Sequence, residues 1–63
     1  MKHNAAKLLK GSIIENNTGE RGTLKSLQHG TSGALYWIVD WAGRGLQWET
    51  LEYVQSCELM GNF

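Results

Sequence analysis

Between Leu35 and Trp41 the chain alternates strictly. Leu35, Trp37, Val39 and Trp41 fall on one face of an extended strand, with Tyr36, Ile38 and Asp40 on the other. The first set is bulky and wholly apolar, so it is the expected core face. Ala42-Gly43-Arg44-Gly45 reads as a turn, and Leu46-Gln47-Trp48-Glu49 as the returning strand. Residues 36–54 hold all three tryptophans and both tyrosines. Aromatic and β-branched side chains suit a pleated, half-buried surface, and in so short a chain they supply much of the core.

The same pattern, weaker, runs upstream. Lys10-Gly11-Ser12-Ile13-Ile14-Glu15-Asn16 reads as a first strand, and Asn17-Thr18-Gly19-Glu20-Arg21-Gly22 as a loop. Thr23-Leu24-Lys25-Ser26-Leu27-Gln28 reads as a second strand, although Leu24 and Leu27 break strict alternation. A bulge near Lys25-Ser26 returns both leucines to the core. Gly30-Thr31-Ser32-Gly33 is a hairpin-sized connection. Downstream, Leu51, Val54, Leu59 and Met60 fit an irregular helix. Alternatively, a 3₁₀ turn at Thr50-Leu51-Glu52 feeds a closing strand. The second reading is favoured, because four strands would leave two exposed edges.

The expectation is an all-β chain with about five antiparallel strands and a short 3₁₀ turn before the last. The strands span residues 10–55, with a flexible N-terminal arm at 1–9 and a C-terminal tail at 56–63. Leu24, Leu27, Leu35, Trp37, Val39, Trp41, Trp48, Leu51 and Val54 form the expected core.

Gly22-Thr23-Leu24-Lys25-Ser26-Leu27, Tyr36-Trp37-Ile38-Val39-Asp40-Trp41, a glycine turn and Leu51-Glu52-Tyr53-Val54 together resemble the SH3-like small barrels of the KOW and Tudor type. That resemblance implies a non-catalytic module binding through one curved face. A second, weaker resemblance is to chromodomains, through Trp37, Val39, Trp41-Ala42-Gly43 and Trp48-Glu49. Of that family's three aromatic cage positions, only Trp41 carries a ring; the others fall near Gly22 and on Arg44. A cage needs several π faces around its cation, so chromodomain-like peptide reading ranks last.

Composition narrows the classes further. The 63 residues make one domain, which buries only about 60% of its unfolded surface. Domains this small gain stability from disulfides, metals or oligomers. Cys57 is the only cysteine, so an intrachain disulfide is excluded and a homo-oligomer stays among the expected partners. A lone thiol and no signal-like apolar run point to the cytoplasm. No stretch approaches the ~20 apolar residues of a membrane span. Six basic and six acidic side chains cancel, which implies no general affinity for polyanions. The signs are nonetheless segregated along the chain. Residues 1–25 carry five basic and two acidic side chains, and residues 26–63 one and four.

Catalysis has little to build on. His3 and His29 are the only histidines, one in the arm and one beside a turn, and general acid–base work needs a held partner. Cys57 reads as a buried, inert thiol. No metal-ligand spacing is present, and the Gly19–Gly22 loop lacks a phosphate-binding lysine. No enzyme activity, cofactor or metal is expected. The leading expectation is nucleic-acid contact through a basic and aromatic face, with Lys10, Arg21, Lys25 and Arg44 reaching phosphates and Tyr36 stacking. The alternative is a protein-interaction, inhibitor or adaptor module, self-association included. Tyr36, Ile38, Trp41 and Phe63 would then form its apolar patch, with Arg44 at the rim. Tyr36 and Ile38 either form such a contact surface or are covered by one of the chain's own ends.

Overall fold

A computed structural model describes residues 5–61 of the chain. After a 3₁₀ turn at Ala5–Lys7 come β1 (Ile13–Glu15), β2 (Arg21–His29), β3 (Leu35–Trp41), β4 (Gly45–Thr50), α1 (Leu51–Ser56) and β5 (Glu58–Gly61). The five strands make one antiparallel sheet in the order β4-β3-β2-β1-β5, an arrangement compatible with a small β-barrel.

Local chemistry sets the turns. Asn16 closes the β1–β2 turn with its side chain. Its Oδ1 accepts from the backbone N–H of Thr18 at 3.1 Å and of Glu20 at 2.9 Å. Its Nδ2 donates to Glu20 Oε1 at 2.9 Å and to the Tyr53 hydroxyl at 3.2 Å. This nearly buried amide is therefore fully paired. Between β3 and β4, the Arg44 N–H donates to the Trp41 carbonyl at 3.0 Å, with Gly43 at φ +84°. A positive φ at the third turn residue is the type II geometry, which glycine adopts without a Cβ clash.

The bulge expected on β2 is present. Its pairing with β3 shifts between Leu24 and Ser26, so Leu24 faces Val39 and Leu27 faces Trp37 on the same side of the sheet. Ile14, Leu24, Val39 and Val54 are fully buried, as are Trp37, Trp41 and Cys57 to within a few per cent. Leu8, Leu27, Leu51 and Leu59 pack against this cluster, while Leu35 is half-buried. The core face read on β3 is thus the observed one.

Ala5 also lies in the core, and its carbonyl accepts the Trp37 indole N–H at 2.8 Å. The described end of the segment expected as an arm is therefore held by a core side chain. Ile14 was expected only as part of a strand; on β1 it is completely buried as a member of the core cluster.

Two expectations are corrected. The 3₁₀ turn expected before the last strand is α1. Thr50 Oγ1 caps it by accepting the Tyr53 N–H at 3.1 Å, which stabilises a full helical start. The 3₁₀ turn lies instead at Ala5–Lys7, and the closing strand β5 lies within the stretch expected as a tail. Trp48, expected in the core, is 57% exposed. Its direct partner across the ladder is Ile38, and directly opposed residues share a face.

Candidate functional site

The register that turns Trp48 outward assembles a surface. On β3 the outer positions are Tyr36, Ile38 and Asp40; opposite them on β4 stand Thr50, Trp48 and Leu46. Opposite the same β3 residues on β2 stand Gln28, Ser26 and Thr23. Leu46 is 63% exposed and Trp48 57%, with Tyr36 and Ile38 half-buried between them and β2. The Tyr36 and Trp48 rings meet edge to face, centroids 5.8 Å apart at 60°. That contact holds both rings at a defined angle on the sheet surface. Beyond Tyr36 and Thr50 lies a depression of about 280 Å³, also lined by Ala34, Leu35, Leu51 and Glu52. Two apolar side chains, two aromatic rings and an adjoining hollow form a contiguous patch, of the kind that marks a contact surface.

The basic candidates do not converge on this patch. Arg21 Nε sits 3.5 Å from a Glu15 carboxylate oxygen at the start of β2. Arg44 Nε sits 3.0 Å from Glu20 in the β3–β4 turn, and its guanidinium lies 5.2 Å from the centroid of the Trp41 ring. Both arginines thus carry a carboxylate partner, and Arg44 also covers a core aromatic. Lys25 is exposed at the β2 bulge beside Ser26, the residue opposite Ile38. Lys10 is exposed just ahead of Gly11, whose N–H donates to Leu24 O at 2.8 Å. Neither lysine forms an ion pair among the described residues.

Trp41 stands apart from the surface set. It is 1% exposed, its indole N–H donates to Glu49 Oε2 at 2.8 Å, and Tyr53 meets it edge to face at 6.3 Å. Its ring is a structural element of the core. Of the residues singled out in the sequence, Tyr36 and Ile38 share the patch and Lys25 adjoins it; Phe63 lies outside the described residues. Sequence reasoning missed Leu46 and Trp48. The signal that finds them is the length of the β3–β4 turn.

The Cys57 thiol is buried and lies 3.3 Å from the Tyr53 carbonyl. Among the described residues no group of histidine, cysteine and carboxylate side chains is placed to hold a metal ion. No helix among them is long and apolar enough to cross a membrane. Comparison with protein-family models, curated proteins and solved structures finds no match. The site's geometry therefore carries the functional argument alone.

Proposed function

We propose that this chain is a non-catalytic binding module that contacts another protein through the outer face of β3 and β4. One observation carries the reading: Leu46 and Trp48 stand 63% and 57% exposed beside Tyr36 and Ile38. Aromatic side chains bury large area at little entropic cost, and tryptophan and tyrosine are enriched at binding hot spots. Zero formal charge and carboxylates on both Arg21 and Arg44 favour a protein over a polyanion. The likeness to KOW and Tudor barrels in residue spacing agrees with a small binding module and does not select its ligand.

The second reading is single-stranded nucleic acid. Tyr36 and Trp48 form a ready stacking platform, and Lys25 lies one strand away.

Tryptophan emission separates the two. Trp37 and Trp41 are 3% and 1% exposed, so they emit as buried indoles and the red part of the spectrum belongs to Trp48. Apolar peptides enriched from a displayed random library should shift that component to the blue, and Trp48→Ala should abolish both enrichment and shift. Quenching by oligothymidylate at ~50 mM salt that fades as salt rises supports the second reading instead. A spectrum indifferent to both probes refutes the face as a contact surface.

A further inference from the structure

β4 is one of the two edges of the sheet, and every residue along it except Glu49 is exposed. Alternate residues of an edge strand direct their N–H and C=O groups into solvent, ready to pair with another strand. Native edges are blunted by shortness, by lysine and other charges, inward-pointing ones included, by proline, by bulges or by a covering helix or loop. The other edge, β5, has only four residues, and its pairing with β1 is broken by a register shift at Ile13/Ile14. β4 has six residues in unbroken register, Gly45-Leu46-Gln47-Trp48-Glu49-Thr50, with neither lysine nor proline. Its one charge, Glu49, points inward, which is one such device, but its carboxylate is engaged by the Trp41 indole N–H at 2.8 Å.

We propose that a second copy of this chain pairs along this edge, β4 antiparallel with β4 about a twofold axis at Gln47. This rests on the reading of exposed Leu46 and Trp48 as contact residues and names their partner. The register follows from the side chains, because directly opposed residues share a face. An axis at Gln47 sets Leu46 opposite Trp48 of the second copy, twice, and sets Glu49 opposite Gly45. An axis at Trp48 leaves Leu46 facing Thr50. An axis at Glu49 opposes two carboxylates, which repel. Only the first pairs both exposed apolar side chains and keeps like charges apart. The formal net charge of zero adds no repulsion between copies. Twofold pairing uses the same edge on both copies, so assembly closes at a dimer.

Sedimentation velocity and cysteine cross-linking test this on the full chain. The wild type should show a concentration-dependent dimer. Leu46→Lys, at a position 63% exposed and so neutral for the fold, should weaken it at least ~10-fold. Gln47→Cys should oxidise to a dimer linked through the two introduced thiols, because opposed Cα atoms in such a pair sit about 4.5–5.5 Å apart, within disulfide reach. Thr31→Cys, in the exposed β2–β3 turn, is the control. Buried Cys57 stays in place. A wild type monomeric at ~1 mM, together with cross-linking through position 47 no faster than through position 31, overturns the proposal. The peptide and oligonucleotide titrations of Trp48 emission are independent of this result, so a monomer that still binds a peptide rejects self-pairing and keeps the contact surface.

Discussion

Gly22 sits on β2 directly opposite Trp41 on one side and Ile14 on the other. A Cβ built there would lie 2.5 Å from Val39 Cγ1, 2.8 Å from Trp41 Cε3 and 3.0 Å from Trp41 Cδ2. All are well inside van der Waals contact, and both partners are held in place: Val39 is fully buried, and Trp41 is tied to Glu49. Forcing an extra methyl into a packed core costs about 1–3 kcal/mol. Gly→Ala returns about 0.4–1 kcal/mol by restricting the unfolded chain. The net expectation for Gly22→Ala is a loss of about 1–2 kcal/mol. At about 0.05–0.15 kcal/mol per residue, a chain of 63 residues has roughly 3–9 kcal/mol to lose. Each kcal/mol lowers Tm by about 4–8 °C in a domain this size, so Gly22→Ala should melt roughly 4–16 °C lower. Circular dichroism at far- and near-ultraviolet wavelengths reads both the fold and the Trp41 environment. The shortest clash is with Val39, so repeating the substitution in a Val39→Ala background should recover much of the cost. Equal cost in both backgrounds, or an unchanged melt in the first, refutes the packing argument.

Trp37→Phe keeps most of the ring but strands the buried Ala5 carbonyl, which accepts the indole N–H at 2.8 Å; denaturant titration should show about 1–3 kcal/mol lost. Asn16→Ala removes acceptors from Thr18 and Glu20 and a donor to Tyr53. It should cost a similar ~1–3 kcal/mol, with faster amide exchange at residues 18 and 20 as its local signature. Trp48→Ala sacrifices the edge contact with Tyr36 and the cross-strand pairing with Ile38 and should shift stability by no more than about 0.5–1.5 kcal/mol. A larger loss would place Trp48 in the core after all. Arg44→Ala gives up an exposed ion pair and a cation–π contact; each is worth at most about 1 kcal/mol at the surface, and thermal melts should show a small, salt-sensitive decrease.

What was legible in the chain, and what was not, turns on one peptide unit. The alternation from Leu35 to Trp41 identified the core face of β3, and the spacing of Leu24 and Leu27 located the bulge, because both signals lie within a single strand. The contact surface depends on how two strands pair. With Ala42-Gly43-Arg44-Gly45 read as the turn, Trp41 would face Leu46, Val39 would face Trp48, and the indole would join the core. The observed loop is one residue shorter, and Trp41 faces Gly45. A slip of one residue moves every side chain of a strand to the other face, so Trp48 and Leu46 emerge beside Ile38 and Tyr36 while Glu49, and Gln47 still exposed at the edge, take the core side. Apolar content cannot choose between these registers, since a tryptophan and a leucine suit a core strand equally well. The inward residues hold the deciding chemistry: the observed register brings the Glu49 carboxylate to the Trp41 indole N–H at 2.8 Å. Turning β4 over would leave that buried donor without its acceptor and replace it with a second indole. The bond that satisfies Trp41 in the core is therefore also what commits Trp48 to the surface.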